Sequence, residues 1–201
     1  MKKIMVMCGV LAAFGTTALA AGDEDALSGR LKADFRTKGI AGLARLDQDA
    51  VQATCTQHHP EDLPRALVKY LETQQLAGVR YPADGKYLGD WKKGEALAQD
   101  GRGMTWSDSP DSPVGGNCYN CHQLAPQEAS FGTIGPSLRH YGKIRGNSAA
   151  MQQYTYSKIY NAKAYNLCTN MPRFGHVGAL TEAQIKDLVA LLLDPESPVN
   201  K

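Results

Sequence analysis

The chain has 201 residues, a length that allows one domain and an extension. It carries 22 basic and 20 acidic side chains, for a formal net charge of +2. Loss of an N-terminal segment containing Lys2 and Lys3 would leave a formally neutral mature chain. Neutrality argues against nucleic-acid binding and against a polybasic membrane surface, since both require a clear positive excess.

Residues 1–20 have the three parts of a secretory signal peptide. Two lysines form the basic start, residues 4–14 are apolar, and Ala18–Ala20 supplies a small-x-small cleavage site. The alternative, a membrane anchor, is disfavoured because the apolar run is too short to span a bilayer. Cys8 lies before the end of that run, so we do not expect lipidation there. The segment predicts export to the periplasm, with no membrane span after cleavage.

The mature chain begins with residues 21–85, where short helical patterns are separated by turn residues. Apolar residues at loose helical spacing predict two short helices before about residue 57, because Gly39 and Gly42 interrupt the pattern. A further helix should begin at Pro64, a residue favoured in a first turn, and run to about Gln75, with Gly78 stopping it. The turn chemistry of residues 81–85 predicts the end of this extension.

Three stronger helical patterns and no strand pattern follow in residues 86–201, which we expect to form one domain. Each begins at a capping residue, and Gly94 within the first could allow another helix to approach closely. The predicted helices run from Asp90 to about Gln99, from Asn147 or Ser148 to about Asn161, and from the capping box Thr181–Gln184 to Asp194.

The pentapeptide Cys118–His122 matches the C-x-x-C-H pattern of haem attachment. Two thiols three positions apart can each form a thioether to one edge of a porphyrin, and the adjacent imidazole is then held under the iron. A zinc site would need two further ligands, and the sequence has no second C-x-x-C. A redox pair would need a βαβ context that is absent. The pattern predicts one covalent haem c, attached at Cys118 and Cys121 and ligated by His122.

A Gly-x-x-Gly-Pro stretch, residues 132–136, follows this motif. Such a stretch is first of all a turn. A backbone carbonyl near Pro136 could also accept a hydrogen bond from the His122 ring and fix its orientation. The sequence leaves both interpretations open.

Four later side chains could provide the second axial ligand: His140, Met151, Met171 and His176. Met151 falls inside a predicted helix, where methionine is more often a core residue. Met171 lies in a loop that the following Pro172 stiffens. Methionine–histidine ligation raises the reduction potential relative to bis-histidine ligation, which suits an electron acceptor. We therefore expect Met171 to be the ligand, with His176 as the alternative.

Two cysteines, Cys55 and Cys168, remain outside the signal peptide and the attachment motif. An even remainder in an exported protein predicts a disulfide between them, with two buried free thiols as the alternative. The bridge would fasten the extension beside the second domain. The entropy of the closed loop gives about 4–5 kcal/mol of stabilisation as an upper figure.

Taken in order, these features resemble a class I cytochrome c over residues 86–195. Several segments resemble more closely the SoxX family, the small haem subunits of the SoxXA cytochromes of sulfur-oxidising bacteria. The C-x-x-C-H pattern alone is not specific, whereas its combination with the Met-Pro-Arg-Phe-Gly sequence is. The segments that carry the resemblance are Gly116–His122, Gly132–Leu138, Tyr154–Tyr156, Lys158–Asn161, Met171–His176 and Leu191–Pro195.

The resemblance implies an all-α class I cytochrome c fold with an α-helical N-terminal extension. It implies a periplasmic heterodimer with a SoxA-like subunit that carries one or two haems. That complex would be an L-cysteine S-thiosulfotransferase, coupling thiosulfate to a cysteine of the SoxYZ carrier, with the sulfur chemistry on the partner. This chain would contribute no catalytic residue. Its haem, ligated by His122 and Met171, would take electrons from the SoxA haem and pass them to a soluble cytochrome c.

Two alternative functions are also compatible with a haem-containing chain. One is a free-standing periplasmic electron carrier, although a neutral chain gives no support to the charged docking rim on which such carriers often rely. The other is a catalytic or sensing haem protein in which Met171 can be displaced by a ligand.

Overall fold

The computed structural model describes residues 20–201, with side chains described from residue 26 onward. The predicted signal peptide therefore lies outside the described residues, except for Ala20. The described chain contains no β-strand, only an isolated bridge between Lys38 and Ala41. The predicted all-α class is confirmed. The α-helices are α1 Ala20–Asp34, α2 Ala50–Gln57, α3 Arg65–Ala77, α4 Trp91–Gln99, α5 Tyr141–Arg145, α6 Ala149–Tyr160 and α7 Glu182–Leu193.

The predicted extension contains α1, α2 and α3. The two helices expected before residue 57 are present, but the second begins only at Ala50, because residues 43–46 form a 3-10 turn. The apolar residues in and after α1 are poorly covered, since Leu27 in the helix and Phe35 directly after it are each 55% exposed. Helix α3 begins after Pro64, which is its N-cap, and runs to Ala77, two residues beyond the predicted end, with Gly78 as its C-cap. None of the helices in residues 20–201 combines the length and apolar character needed to cross a membrane.

Helices α4 and α7 form the most extensive helix pair of the described chain. The Asp90 side chain caps α4 by accepting a hydrogen bond from the Lys92 N–H at 2.9 Å. Gly94 is buried at the crossing, where a Cβ atom would overlap the backbone carbonyl of Asp187 in α7. The close approach predicted for this glycine is therefore confirmed.

The main core lies between α4, α6 and α7. The Ser148 side chain caps α6, and the reciprocal hydrogen bonds of Thr181 and Gln184 begin α7, both as predicted. Helix α7 supplies more buried apolar residues than any other helix of the described chain, and these are Ile185, Leu188, Val189, Ala190, Leu191, Leu192 and Leu193. The last turn of the chain also packs here, through the buried Val199.

A smaller apolar cluster joins the extension to the segment before α7. Its buried members are Val51, Leu63 and Leu167, and it packs against both Cys55 and Cys168. These two cysteines form a disulfide, as the sequence predicted. Residues of the predicted extension are therefore fastened to the segment before α7 both covalently and by burial of apolar surface.

Candidate functional site

The attachment motif forms a tight turn that directly follows a loop anchored on α4. Asn117, in the left-handed conformation with φ of 47°, donates its backbone N–H to Asp100 O at 3.0 Å. The Cys118 carbonyl then accepts from the N–H groups of Cys121 and His122, at 3.1 and 2.9 Å. Both thiols and the imidazole are thus presented from one compact turn.

The thiols of Cys118 and Cys121 do not form a disulfide. Burial raises the pKa of the Cys118 thiol to about 12. Redox C-x-x-C pairs need a lowered pKa, because the thiolate is the attacking species. This environment is therefore unsuited to thiol–disulfide exchange. It is compatible with a cysteine sulfur that forms a covalent bond to a prosthetic group.

The backbone carbonyl of Pro136 fixes the orientation of the His122 imidazole. Nδ1 of His122 lies 2.7 Å from this carbonyl oxygen, and because a carbonyl can only accept, Nδ1 carries the proton. Nε2 is then the unprotonated nitrogen that can ligate a metal. The hydrogen bond from the His122 ring to a carbonyl near Pro136, which the sequence left as one of two interpretations, is therefore present.

Gly135 allows this contact, because a Cβ atom at position 135 would overlap the imidazole ring. Its backbone N–H donates to Cys121 O at 2.8 Å, and the N–H of Gly132 donates to Tyr119 O at 2.7 Å. The segment that contains Pro136 is therefore hydrogen-bonded along the attachment turn. The sequence predicted a turn here, but not that Gly135 would lie against the ring.

An apolar cavity opens beside the attachment turn. Aliphatic and aromatic side chains from α6, α7 and the intervening loops form most of its wall, and both His122 and Met171 lie on it. The lining residues are Cys118, His122, Leu124, Leu138, Ile159, Met171, Phe174, Leu188, Leu191 and Leu192. Leu124, Leu138 and Phe174 were not predicted as site residues, because they lie in loops where the sequence has no periodic apolar pattern.

The other three candidate ligands lie elsewhere. His140 precedes α5, donates its backbone N–H to Val199 O at 2.8 Å, and buries an Nδ1 atom that has no hydrogen-bond partner. Met151 is in α6, where its sulfur accepts from the Tyr141 hydroxyl at 3.9 Å. His176 is exposed. Of the four candidates, Met171 is the one that shares the cavity wall with His122.

Comparison with known proteins supports the interpretation of this site as a haem-binding site. Residues 91–194 match the family model of cytochrome c. A protein of Aquifex aeolicus (strain VF5), described as an uncharacterized lipoprotein, is 39% identical over 160 residues, covering 77% of this chain and 73% of the relative. The chain belongs to the cytochrome c family, and its class I fold and single attachment motif give it one covalently bound haem c.

The described residues fit this prosthetic group. Two thiols that are not joined to each other stand beside an imidazole whose Nε2 is available as a ligand. The adjacent wall is apolar, as a porphyrin face requires, and it includes a thioether that could provide a second ligand.

Proposed function

We propose that this chain is the haem c electron-transfer subunit of a periplasmic thiosulfate-oxidising complex of the SoxXA type. In this proposal Cys118 and Cys121 form the thioether bonds, and His122 and Met171 are the axial ligands. The observation that carries the electron-transfer role is that an oriented imidazole and a thioether lie on the wall of one apolar cavity. The bound haem supplies a single redox centre that takes up and releases one electron.

The chain's own residues set the behaviour of that centre. The Pro136 carbonyl keeps the proton on Nδ1 of His122, so Nε2 would be the nitrogen that holds the haem iron. Leu191 and Leu192 of α7 are buried and give the cavity an apolar lining. An apolar surrounding disfavours the oxidised, more highly charged state, and a thioether ligand acts in the same direction. Both features favour a high potential, which suits an electron acceptor.

The assignment to the SoxXA type is supported by the resemblance to the SoxX family in the attachment turn, in the segment that contains Gly135, and around Met171. The partners proposed on this basis are a SoxA-like haem subunit, the SoxYZ carrier protein and a soluble cytochrome c. The thiosulfotransferase chemistry would take place on the SoxA-like subunit.

Export to the periplasm is supported by two observations. The disulfide between Cys55 and Cys168 suits an oxidising compartment. The relative from Aquifex aeolicus is described as a lipoprotein, and lipoproteins are exported. We propose that cleavage after Ala20 gives a mature chain that begins at Ala21.

The experiment is purification of the tagged full chain from cells grown on thiosulfate, followed by a haem count and reduction assays. We expect one haem per chain, a second haem protein of the SoxA type in stoichiometric amount, and reduction by thiosulfate only when SoxYZ is added. A lone haem protein that exchanges electrons with many donors would instead be a free carrier. Binding of thiosulfate or carbon monoxide at the native iron would indicate the sensing or catalytic role.

A further inference from the structure

Met171 lies in a loop, residues 161–176, that connects the end of α6 to the approach to α7. The far end of this loop is held by its own domain, where the N–H groups of Gly175 and His176 donate to Tyr160 O at 3.1 and 3.0 Å. The Met171 N–H donates locally, to Thr169 Oγ1 at 3.2 Å. The near end of the loop has a different set of long-range partners.

Helix α3 of the extension holds the near end of the loop. Asn161 donates from its side-chain amide to the side-chain oxygen of Gln75 at 3.0 Å. The backbone N–H of Leu167 donates to a carboxylate oxygen of Glu72 at 3.2 Å. Leu167 is only 2% exposed, so its N–H would have no water to replace this acceptor. The two contacts therefore fix the loop at Asn161 and at Leu167, ten and four residues before Met171.

Helix α2 holds the loop on both sides of Met171. The disulfide from Cys55 reaches Cys168, three residues before the methionine. The guanidinium of Arg173, two residues after it, pairs with Asp49, with Nη1 2.6 Å from Oδ2. The contact is an ion pair between two side chains that are far apart in the sequence. Arg173 is only 8% exposed, so loss of Asp49 would leave a cation that is poorly solvated.

The small apolar cluster described above adds to these polar contacts. Leu167 of the loop packs with Val51 of α2 and with Leu63, and all three are buried. Separation of the extension from the loop would expose this cluster to water, which opposes the separation.

We propose that α2 and α3 hold Met171 in place as an axial ligand, with Asp49, Cys55 and Glu72 acting as positioning residues. The inference rests on the proposed function, since it takes Met171 as the sulfur ligand. A thioether is an uncharged ligand on a flexible side chain, so its loop must be ordered before the sulfur can stay on the iron. The extension supplies that order from outside the cytochrome c segment.

The test compares three variants of the full haem-loaded chain: Asp49→Asn, the double variant Cys55→Ser/Cys168→Ser, and Asp47→Asn. Asp47→Asn is the matched control. It makes the same change from aspartate to asparagine, and Asp47 pairs with Lys32 within the extension rather than with the Met171 loop. One measurement is hydrogen exchange at the amides of Leu167 and Met171. The other is the sulfur-to-iron charge-transfer absorption of the ferric protein.

We expect Asp49→Asn and the double variant to raise exchange at both amides by about tenfold, as loss of one charged contact would, and to weaken the absorption band. Asp47→Asn should leave both measurements unchanged. Unchanged exchange and absorption in Asp49→Asn would overturn the inference even if the double variant failed to fold. A wild-type protein that lacks the band would instead refute Met171 ligation itself, and the inference with it.

Discussion

The carbonyl oxygen of Pro136 lies 2.7 Å from Nδ1 of His122 and accepts the imidazole proton. Because this proton position leaves Nε2 free, one backbone atom determines which nitrogen can ligate the iron. The contact depends on the absence of a side chain at residue 135, next to the ring.

Gly135→Ala should reduce the amount of haem that the exported chain retains, because the new methyl group would overlap the imidazole. We expect the haem content to fall by at least about tenfold, because loss of the partner that orients a metal-ligating histidine typically weakens the site by that amount or more. The measurement is the ratio of haem to protein after purification. Gly42→Ala is the matched control, since that position has open space around it. Equal haem content in the two variants would refute the steric role of Gly135.

Met171→Ala should open the sixth coordination position. We expect the reduction potential to fall by on the order of 0.1 V, because axial ligands set haem potentials over a range of about 0.8 V. The ferrous protein should also bind carbon monoxide, which redox titration and absorption spectroscopy can follow. Met151→Ala removes a methionine from α6 that is outside the cavity wall and should change neither property. An unchanged spectrum in Met171→Ala would reject this ligand.

Gly94→Ala should destabilise the fold by about 1–3 kcal/mol, because the added methyl group forces α4 away from the Asp187 backbone. Chemical denaturation of the haem-loaded chain measures this change. Gly29→Ala, in the open surroundings of α1, is the matched helical control and should cause no loss. Similar midpoints for the two variants would show that α4 and α7 can separate without cost.

Asp49 should make the stability of the extension depend on acid pH. Burial raises the pKa of its carboxyl, but the Gln52 N–H and then Arg173 outweigh burial, so the pKa lies below the usual 3.8. A lowered pKa means that Asp49 stabilises the fold above pH 3.8 and loses this contribution as the pH falls through the folded value. The wild type should therefore exceed Asp49→Asn in stability at neutral pH and approach it in acid.

Thermal unfolding of both proteins across this range is the measurement. Asn is as good an N-cap as Asp, so the substitution removes the charge and keeps the cap. The other charged or titratable groups near Asp49 are Lys163, Arg173 and His176. Burial, and then Arg173, lowers the pKa of His176 from 6.5, and this histidine is present in both proteins. A stability gap that persisted in strong acid would contradict the prediction.

The sequence predicted those parts of the fold whose signals are local. Asp90, Ser148 and Thr181 each cap the helix that was expected to follow them, since a cap and its partner lie within three residues. Helix α5 was missed, because five residues are too few to show a helical period. The attachment turn was predicted because its chemistry fixes both residue type and spacing.

Of the contacts between the extension and the Met171 loop, only the disulfide could be predicted from the sequence. Glu72 and Leu167 are 95 residues apart, and Asn161 lies 86 residues from Gln75. A carboxylate or amide on the surface of a helix looks the same in sequence whether it faces water or a loop of another domain. The cysteines were the exception, because only one pairing remained for them.

Three leucines of α7, at positions 188, 191 and 192, form one wall of the cavity, and α7 is the last α-helix of the described chain. The wall is therefore incomplete until the C-terminal helix has docked on α4. Along the chain, Cys118 and Cys121 precede the start of α7 by about 60 residues, so they are synthesised before that helix is available to dock. We therefore expect both thiols to stay accessible for haem attachment until α7 docks, which would make closure of the pocket a late step in the folding of the chain.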